Sequence, residues 1–532
     1  MPDAARPRYA LEAALAAALF ACAGLAIIWA TRTHLVVGCE SDGHYIMAGY
    51  VRCGDMGLYV QMGKGTWPWL YPFIVGHLAG IVGAATYWVG KCVTLAAGAG
   101  IVALVAHAAS REIPGRARWI APIVVAANPQ FLMYSTLAST DVFAALFVAL
   151  GLWFGARAVL HDGGPRDAAL AGAAWAIAGL TRYQYVAPAP FALVAIALAV
   201  PNARRRGPLM AGAFALAWLG VSSIGLVGGF SNLSDAFGWS QVLGRAENIP
   251  NSVGVLDWSL DSAWRVAKAY ALAVDFVAWH VAYYPLLGLV AFGVAARRNV
   301  WRLRQAAAIG IPLTAYFVAV GWFVSMDGNT DLRRVFLPFV PATAVVFAAG
   351  AAWVFRSSGA RFVGWLLVPT LVAFHVNGFF IEYPLLHVWP EGHPVAARHA
   401  WTGQCLVRSI QCPAPTEEIE EVRVAREFAR REQPGCRLTV TNSAPAAIEL
   451  PLVYSCPPGS PPCEKDTGLD NMAMGKLVEH FASREPAKYV LEFPQDGTSR
   501  LTAGEAIGSR GLYEFREIAP IPPARAFEIV PR

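Results

Sequence analysis

Apolar residues fall along this chain in long uninterrupted runs separated by short polar segments, a pattern of buried or membrane-crossing helices rather than of amphipathic surface elements. The first run, Ala10 to Thr31, follows Arg6 and Arg8. At roughly twenty residues it suffices to cross a hydrocarbon core and exceeds a cleaved signal's apolar region, so it is read as a retained signal anchor. Further spans are expected at 87–109, 119–138, 141–160, two short ones between 168 and 200, then 208–230, 266–294, 306–325, 335–355 and 362–381. Together they predict about eleven crossings, with the N-terminus inside and the C-terminus outside.

Loop charges sort consistently with that count. Arg111/Arg116/Arg118, Arg157/Arg166, Arg204/Arg205/Arg206, Arg297/Arg298/Arg302/Arg304 and Arg356/Arg361 fall in loops assigned to the inner side, and the intervening loops lean acidic. The run from Leu70 to Gly83, at about fourteen residues, is short for a crossing, and a crossing there would turn every later arginine loop outward. It is therefore placed as an interfacial or partly immersed segment, which makes 32–86 one long external loop. Within that loop Gly43 to Arg52 puts Ile46, Met47, Tyr50 and Val51 on one helical face, as for a helix in the interface plane.

The segment 168–200 breaks the pattern. Both of its flanking loops carry arginines, yet about 33 residues at 1.5 Å each cannot cross ~30 Å twice. A hairpin is predicted whose tip, Leu180-Thr181-Arg182-Tyr183-Gln184-Tyr185, stays below the outer surface. Arg182 is then an intramembrane cation, costly unless it meets an anion, a polar cavity or a neighbouring carboxylate. An anion site is favoured over a plain ion pair.

Composition narrows the class. Of 532 residues, 56% are apolar and 15% charged, which excludes an ordinary soluble domain. The net charge of +6 resides largely in the arginine loops, reporting orientation rather than nucleic-acid binding. Beyond Ile381 apolar runs shorten and charges mix, so 384–532 is read as a separate external α/β domain following a transmembrane domain of 1–383. Helices are expected at Thr416–Arg431 and Met472–Ala482, and strands at Arg437–Asn442, Lys488–Phe493 and Ala526–Val530.

Seven of the nine cysteines (Cys39, Cys53, Cys405, Cys412, Cys436, Cys456 and Cys463) fall on the expected external side, in keeping with an oxidising compartment. Cys22 follows Leu19-Phe20-Ala21, too bulky a sequence for lipoprotein cleavage, and reads as a buried apolar thiol.

The order of polar features carries a resemblance. An acidic first loop, Cys39-Glu40-Ser41-Asp42-Gly43-His44-Tyr45, precedes an arginine loop, then Asn128-Pro129-Gln130-Phe131, Thr140-Asp141 opening a span, Leu180-Thr181-Arg182, and late in the chain Arg333-Arg334-Val335-Phe336-Leu337-Pro338-Phe339. Over roughly residues 10 to 380 this resembles the GT-C membrane glycosyltransferases, specifically the family 39 type that includes aminoarabinose and galacturonic acid transferases. The resemblance implies an all-α polytopic GT-C bundle in the inner (plasma) membrane. It also implies transfer of a sugar from a polyprenyl-phosphate donor to a lipid, glycan or protein acceptor on the external face, with inversion.

By the same resemblance Asp42 is the general base and Glu40 the second choice, although Ser41 separates acids that the family often sets side by side. Asp141 corresponds to an acid near the donor sugar or at the active-site rim; it equally suits a helix N-terminus begun by Thr140. Arg182, Arg333 and Arg334 are expected on the carrier phosphate, where a guanidinium fork matches phosphoryl oxygens. His44, Tyr45 and Lys64 share the Asp42 loop as further donor contacts, while Lys91 and His77 read as snorkelling or locally bonded. A divalent ion (Mg or Mn) is left open, since no ligand spacing demands one. No Gly-rich loop of a nucleotide-sugar fold is present. A lipid-linked saccharide transporter or flippase is the alternative, weakened by the lack of an inverted repeat.

Overall fold

The computed structural model describes residues 6–31, 47–48, 51–52, 56, 59, 68–83, 86–113, 115–160, 163–224, 264, 303–327, 336–356, 424, 427–428, 431–432, 438–441, 489–492, 502–504, 506–507, 513–522 and 524–532. The chain divides into two compact units, Met1–Thr31 with Lys91–Ile410, and Arg32–Gly90 with Gln411–Arg532.

The first unit is helical. Its described elements are α1 (Arg6–Thr31), α3 (Thr86–Glu112, entering the unit at Lys91), α4 (Ile120–Ala126), α5 (Pro129–Thr136), α6 (Thr140–Ala158), α7 (Pro165–Thr181), α8 (Ala189–Ala199), α9 (Ala203–Ser222), α10 (Leu303–Asp327) and α11 (Phe339–Arg356). Among the described residues, Tyr9–Ile28, Trp88–Glu112 and Thr140–Ala158 are long and apolar enough to cross a membrane. The architecture is that of a helical membrane protein; the expected total of about eleven crossings is not reached among described residues, and the spans at 266–294 and 362–381 lie outside them. On α1 the outward residues Leu11, Leu15, Leu19 and Leu25 are exposed while Ala13, Ala16, Phe20 and Ile28 are buried, a lipid-facing side opposite a packed one. Cys22 is free and lies on the exposed side, so the expectation of a buried thiol is corrected.

The single span expected at 119–138 is instead two short helices, α4 and α5, after a 3-10 turn at Gly115–Trp119. The break lies at Asn128-Pro129. Proline has no N–H and its ring crowds the preceding turn, and the Asn128 side chain accepts from Phe131 N at 2.9 Å, starting a new helix.

The 168–200 hairpin is present. α7 runs 17 residues and α8 only 11, joined by a 3-10 turn at Tyr183–Tyr185. At 1.5 Å per residue the second leg spans roughly 17 Å, about half a hydrocarbon core. α7 packs between α6 and α9, and α8 rests on α9 and α10. Gly172 permits the close approach of α7 to α9, because a Cβ there would collide with the carbonyl of Phe214.

The second unit contains α2 (Leu70–Val82), a 13-residue helix ended by Gly83 in the left-handed conformation at φ 66°. At roughly 20 Å it is too short to cross, as its sequence length indicates. Met47, Ala48 and Val51 are buried, and Gly76 of α2 sits so close to Ala48 O and Val51 that any side chain there would displace them. Tyr59 donates to Trp69 O at 2.7 Å, and Tyr71 donates to Gly90 O at 3.0 Å. The apolar face expected for 43–52 is thus used at Met47 and Val51; Ile46 and Tyr50 lie outside the described residues.

The same unit holds a five-stranded sheet ordered β1-β2-β5-β4-β3, with β1 Leu438–Thr441, β2 Tyr489–Glu492, β3 Ala506–Ile507, β4 Tyr513–Ile521 and β5 Ala524–Pro531. β1 and β2 are parallel; the other pairs are antiparallel. Val490, Leu491, Phe515, Ala526 and Phe527 form its core. Strands β1, β2 and β5 fall where expected, whereas β3 and β4 are additional to the expected strands. In β4 the charges Glu514, Arg516 and Glu517 interrupt the apolar run, and an irregularity between Ile518 and Ile521 breaks its alternation. Val424, Glu427, Phe428 and Arg431 are helical within the helix expected at Thr416–Arg431, and Glu432, one residue beyond it, is helical too; the helix expected at Met472–Ala482 lies outside the described residues.

Candidate active site

Two of the sequence-derived site residues meet in the first unit. Arg182 Nη2 lies 2.8 Å from Asp141 Oδ1, with the two side chains 9% and 4% exposed, so this is a buried ion pair. Local structure explains both positions. Ser139, in extended conformation, caps α6 and accepts from Asp141 N at 3.2 Å, which puts Asp141 in the first helical turn. The cap is therefore Ser139 and not Thr140. α7 ends at Thr181, whose hydroxyl bonds back to Ile177 O at 2.8 Å, and Arg182 leaves the helix with φ −149° and ψ 116°.

Consecutive helices α6 and α7 pack against each other, so the start of one adjoins the end of the other. An anion in a first helical turn and a cation just past a last one each complement the backbone dipole, in addition to attracting one another. Pairing with a neighbouring carboxylate, the reading less favoured from the sequence, is the arrangement seen. A guanidinium has five N–H donors, so pairing with Asp141 does not exclude contact with a phosphoryl oxygen.

The pair is held from two sides. On one, Thr94 of α3 is stitched to the α6 cap: Ser139 N donates to Thr94 Oγ1 at 3.0 Å, and Thr94 Oγ1 donates to Ser139 O at 3.3 Å. On the other, Tyr185 stacks on Tyr316 of α10 with centroids 5.1 Å apart and planes 17° apart, both rings fully buried. Gln184 Nε2 donates to the Tyr316 hydroxyl at 2.8 Å. Phe336 and Phe339 contact Tyr316 with centroids 6.4 and 6.2 Å away. Phe336, two positions after Arg334, is thereby anchored in the aromatic cluster of the hairpin tip.

Glu40, Asp42, His44, Tyr45, Lys64, Arg333 and Arg334 lie outside the described residues. Lys91 is described and fully buried, so it does not snorkel. His77 is exposed and sits edge-on to Phe73 at 4.3 Å, a local contact. Sequence reasoning overlooked Thr94, Ser139 and Tyr316. The available signal for Tyr316 was a phenol within an apolar run, whose hydroxyl needs a partner when buried.

Among the described residues no cluster of three His, Cys, Asp or Glu side chains is placed to hold a metal ion. Asp141, the carboxylate described at this site, is engaged by Arg182, so the described residues alone do not form a donor set for a hard divalent cation.

Residues 67–224 match the family model of dolichyl-phosphate-mannose-protein mannosyltransferases, an interval that contains Asp141, Arg182 and the whole hairpin. No curated protein matches the chain. Among solved structures, ArnT from Cupriavidus metallidurans bound to undecaprenyl phosphate is 16% identical with a TM-score of 0.55, over 96% of this chain and 97% of that one. Its apo state gives 15% and 0.52 over the same shares. The archaeal oligosaccharyltransferase AglB from Archaeoglobus fulgidus, in complex with an inhibitory peptide and a dolichol-phosphate, is 14% identical with a TM-score of 0.46, over 92% of this chain and 70% of that one. The fold is that of ArnT, a GT-C fold, and the resemblance carried by the ordered motifs holds.

Proposed function

We propose that the chain is an integral-membrane glycosyltransferase that moves a sugar from a polyprenyl-phosphate donor to a lipid, glycan or protein acceptor on the external face of the inner membrane. The observation that carries this reading is the buried Asp141–Arg182 pair at the tip of a hairpin too short to cross the bilayer, within the interval matched by the mannosyltransferase model. An idle charge at that depth is expensive, and a cation held there by a carboxylate is preorganised to meet an anionic headgroup. Support also comes from the shared fold with ArnT, whose bound ligand is undecaprenyl phosphate.

In the proposed reaction the acceptor hydroxyl attacks the anomeric carbon, Asp42 takes its proton, and the bond from that carbon to the phosphate oxygen breaks. The polyprenyl phosphate departs with the bonding electron pair. A single displacement inverts the anomeric configuration. Arg182, with Arg333 and Arg334, offsets the charge growing on the leaving phosphate, while Asp141 fixes Arg182. Glu40 is the second carboxylate of the acidic loop, and His44, Tyr45 and Lys64 contact donor sugar or phosphate. Residues 384–532 serve as a separate external domain.

Met47, Ala48 and Val51, five to nine residues beyond Asp42 in the chain, are buried. The test is transfer of radiolabelled sugar from a polyprenyl-phosphate donor in membranes containing wild type or Asp42→Asn. Removal of the base is expected to lower the rate by about two to four orders of magnitude without changing protein level. Unchanged transfer by the variant would remove Asp42 from the chemistry.

A further inference from the structure

At the opposite end of α6 from Asp141 a second polar cluster occurs that the proposed reaction does not use. α3 and α6 run parallel and side by side. Thr94 meets Ser139, Leu146 lies against Gly100, and seven residues further along both helices His107 meets Trp153. The His107 and Trp153 rings are edge-on with centroids 5.6 Å apart. Arg111, one turn beyond His107, sets its guanidinium 6.0 Å from the centroid of the same indole. Arg157, one turn beyond Trp153, is close enough to His107 for both guanidinium groups to act on the imidazole electrostatically. Arg157 Nη2 also lies 3.4 Å from Asp167 Oδ1, with the arginine side chain 40% exposed.

One guanidinium and an imidazole thus meet at one half-buried indole, a second guanidinium, Arg157, lies near the imidazole, and the carboxylate of Asp167 pairs with Arg157. Arg111 is exposed, and among the described residues no carboxylate is placed in an ion pair with it. Sixteen residues separate Asp141 from Arg157, about 24 Å along α6, so the cluster sits near the far boundary of the hydrocarbon core. Complementing the helix C-terminal dipoles would account for arginines there. It does not account for their gathering around one histidine, His107, which sets like charges close together unless an anion joins them.

We propose that His107, Arg111, Trp153 and Arg157 form a binding site for the phosphate of an anionic phospholipid in the leaflet opposite the Asp141–Arg182 site. The phosphodiester accepts from Arg111, Arg157 and the imidazole N–H, and the indole supplies the amphipathic wall suited to headgroup depth. The site adds a lipid requirement separate from the carrier of the proposed transfer, and it stands independently of that reading.

The test is native mass spectrometry of the full-length protein in detergent, titrated with phosphatidylglycerol or phosphatidylcholine. Wild type is expected to retain phosphatidylglycerol in preference to phosphatidylcholine. Arg111→Gln, at an exposed position with little bearing on folding, is expected to weaken that retention roughly five-fold, and Arg111→Lys to restore most of it. Inorganic phosphate at millimolar level is expected to leave the adducts in place; displacement by it would overturn the lipid assignment in favour of a soluble anion. Equal retention of the two lipids by wild type, or of phosphatidylglycerol by wild type and Arg111→Gln, would overturn the site.

Discussion

Asp141 and Arg182 each carry a cost that the other offsets. Breaking a buried pair from one side strands the surviving charge and costs about 3–5 kcal/mol, whereas neutralising both partners with near-isosteric amides costs far less. Asp141→Asn and Arg182→Gln should therefore each destabilise the protein strongly, while the double variant lies closer to wild type than either. Chemical denaturation in detergent around this cycle checks it, and additive single effects would contradict the pairing. How much of this was legible follows from what each signal measures. Hairpin length and loop charge exposed Arg182 as an intramembrane cation, because those depend only on rise per residue and bilayer thickness. Its partner was not settled, since Asp141 suits both a helix start and a functional carboxylate, and only the packing of α6 on α7 makes the two roles one. The cap at Ser139 was misassigned to Thr140 for a similar reason: adjacent hydroxyl residues cap equally well until the backbone turns at one of them.

At the level of elements, the hairpin tip is fixed by α10 through Tyr316. Removing that ring by Tyr316→Ala should cost about 3–5 kcal/mol, as for other fully buried aromatics, and release the segment carrying Arg182. Tyr316→Phe keeps the stack and removes the hydroxyl that accepts from Gln184, for about 1–3 kcal/mol. Hydrogen exchange at residues 180–186 reads the result directly; equal protection in Tyr316→Ala and wild type would dissociate the tip from α10.

In the sheet, Arg525 bonds Glu517 through Nε and Nη2, both at 2.7 Å, across the β4–β5 hairpin. That hydrogen bonding holds the Glu517 carboxyl below its usual range, opposed in part by burial. A carboxyl whose folded pKa is depressed contributes stability above its unfolded pKa and loses it as pH falls through the folded value. The gap in β4–β5 exchange protection between wild type and Glu517→Gln should accordingly be small and salt-sensitive at neutral pH and close on acidification. A gap that widens in acid would reverse the sign. Strand β4 is hard to read from sequence because charges fall on both of its faces, Glu514 and Arg516 on one and Glu517 on the other, and the division at 119–138 because an apolar run hides a proline break.

On the scale of the whole molecule, the alternation of apolar runs with arginine loops reports membrane residence directly, and the ordered motifs report the GT-C fold, since both are written in local composition. What reactant the fold serves is not written locally. Asp42, Arg182 and Arg333/Arg334 are far apart in the chain, and the proposal joins them around one sugar phosphate, Asp42 at the attacking hydroxyl and the arginines on the phosphate. That phosphate is the claim most open to test. Native mass spectrometry of lipids co-purifying with wild type and with the Asp141→Asn/Arg182→Gln double variant addresses it whatever the sugar and acceptor are. A polyprenyl phosphate or its glycosyl ester carried by wild type and depleted in the double variant is the predicted result; only bulk phospholipid in both preparations would contradict a polyprenyl-phosphate donor held at the hairpin tip.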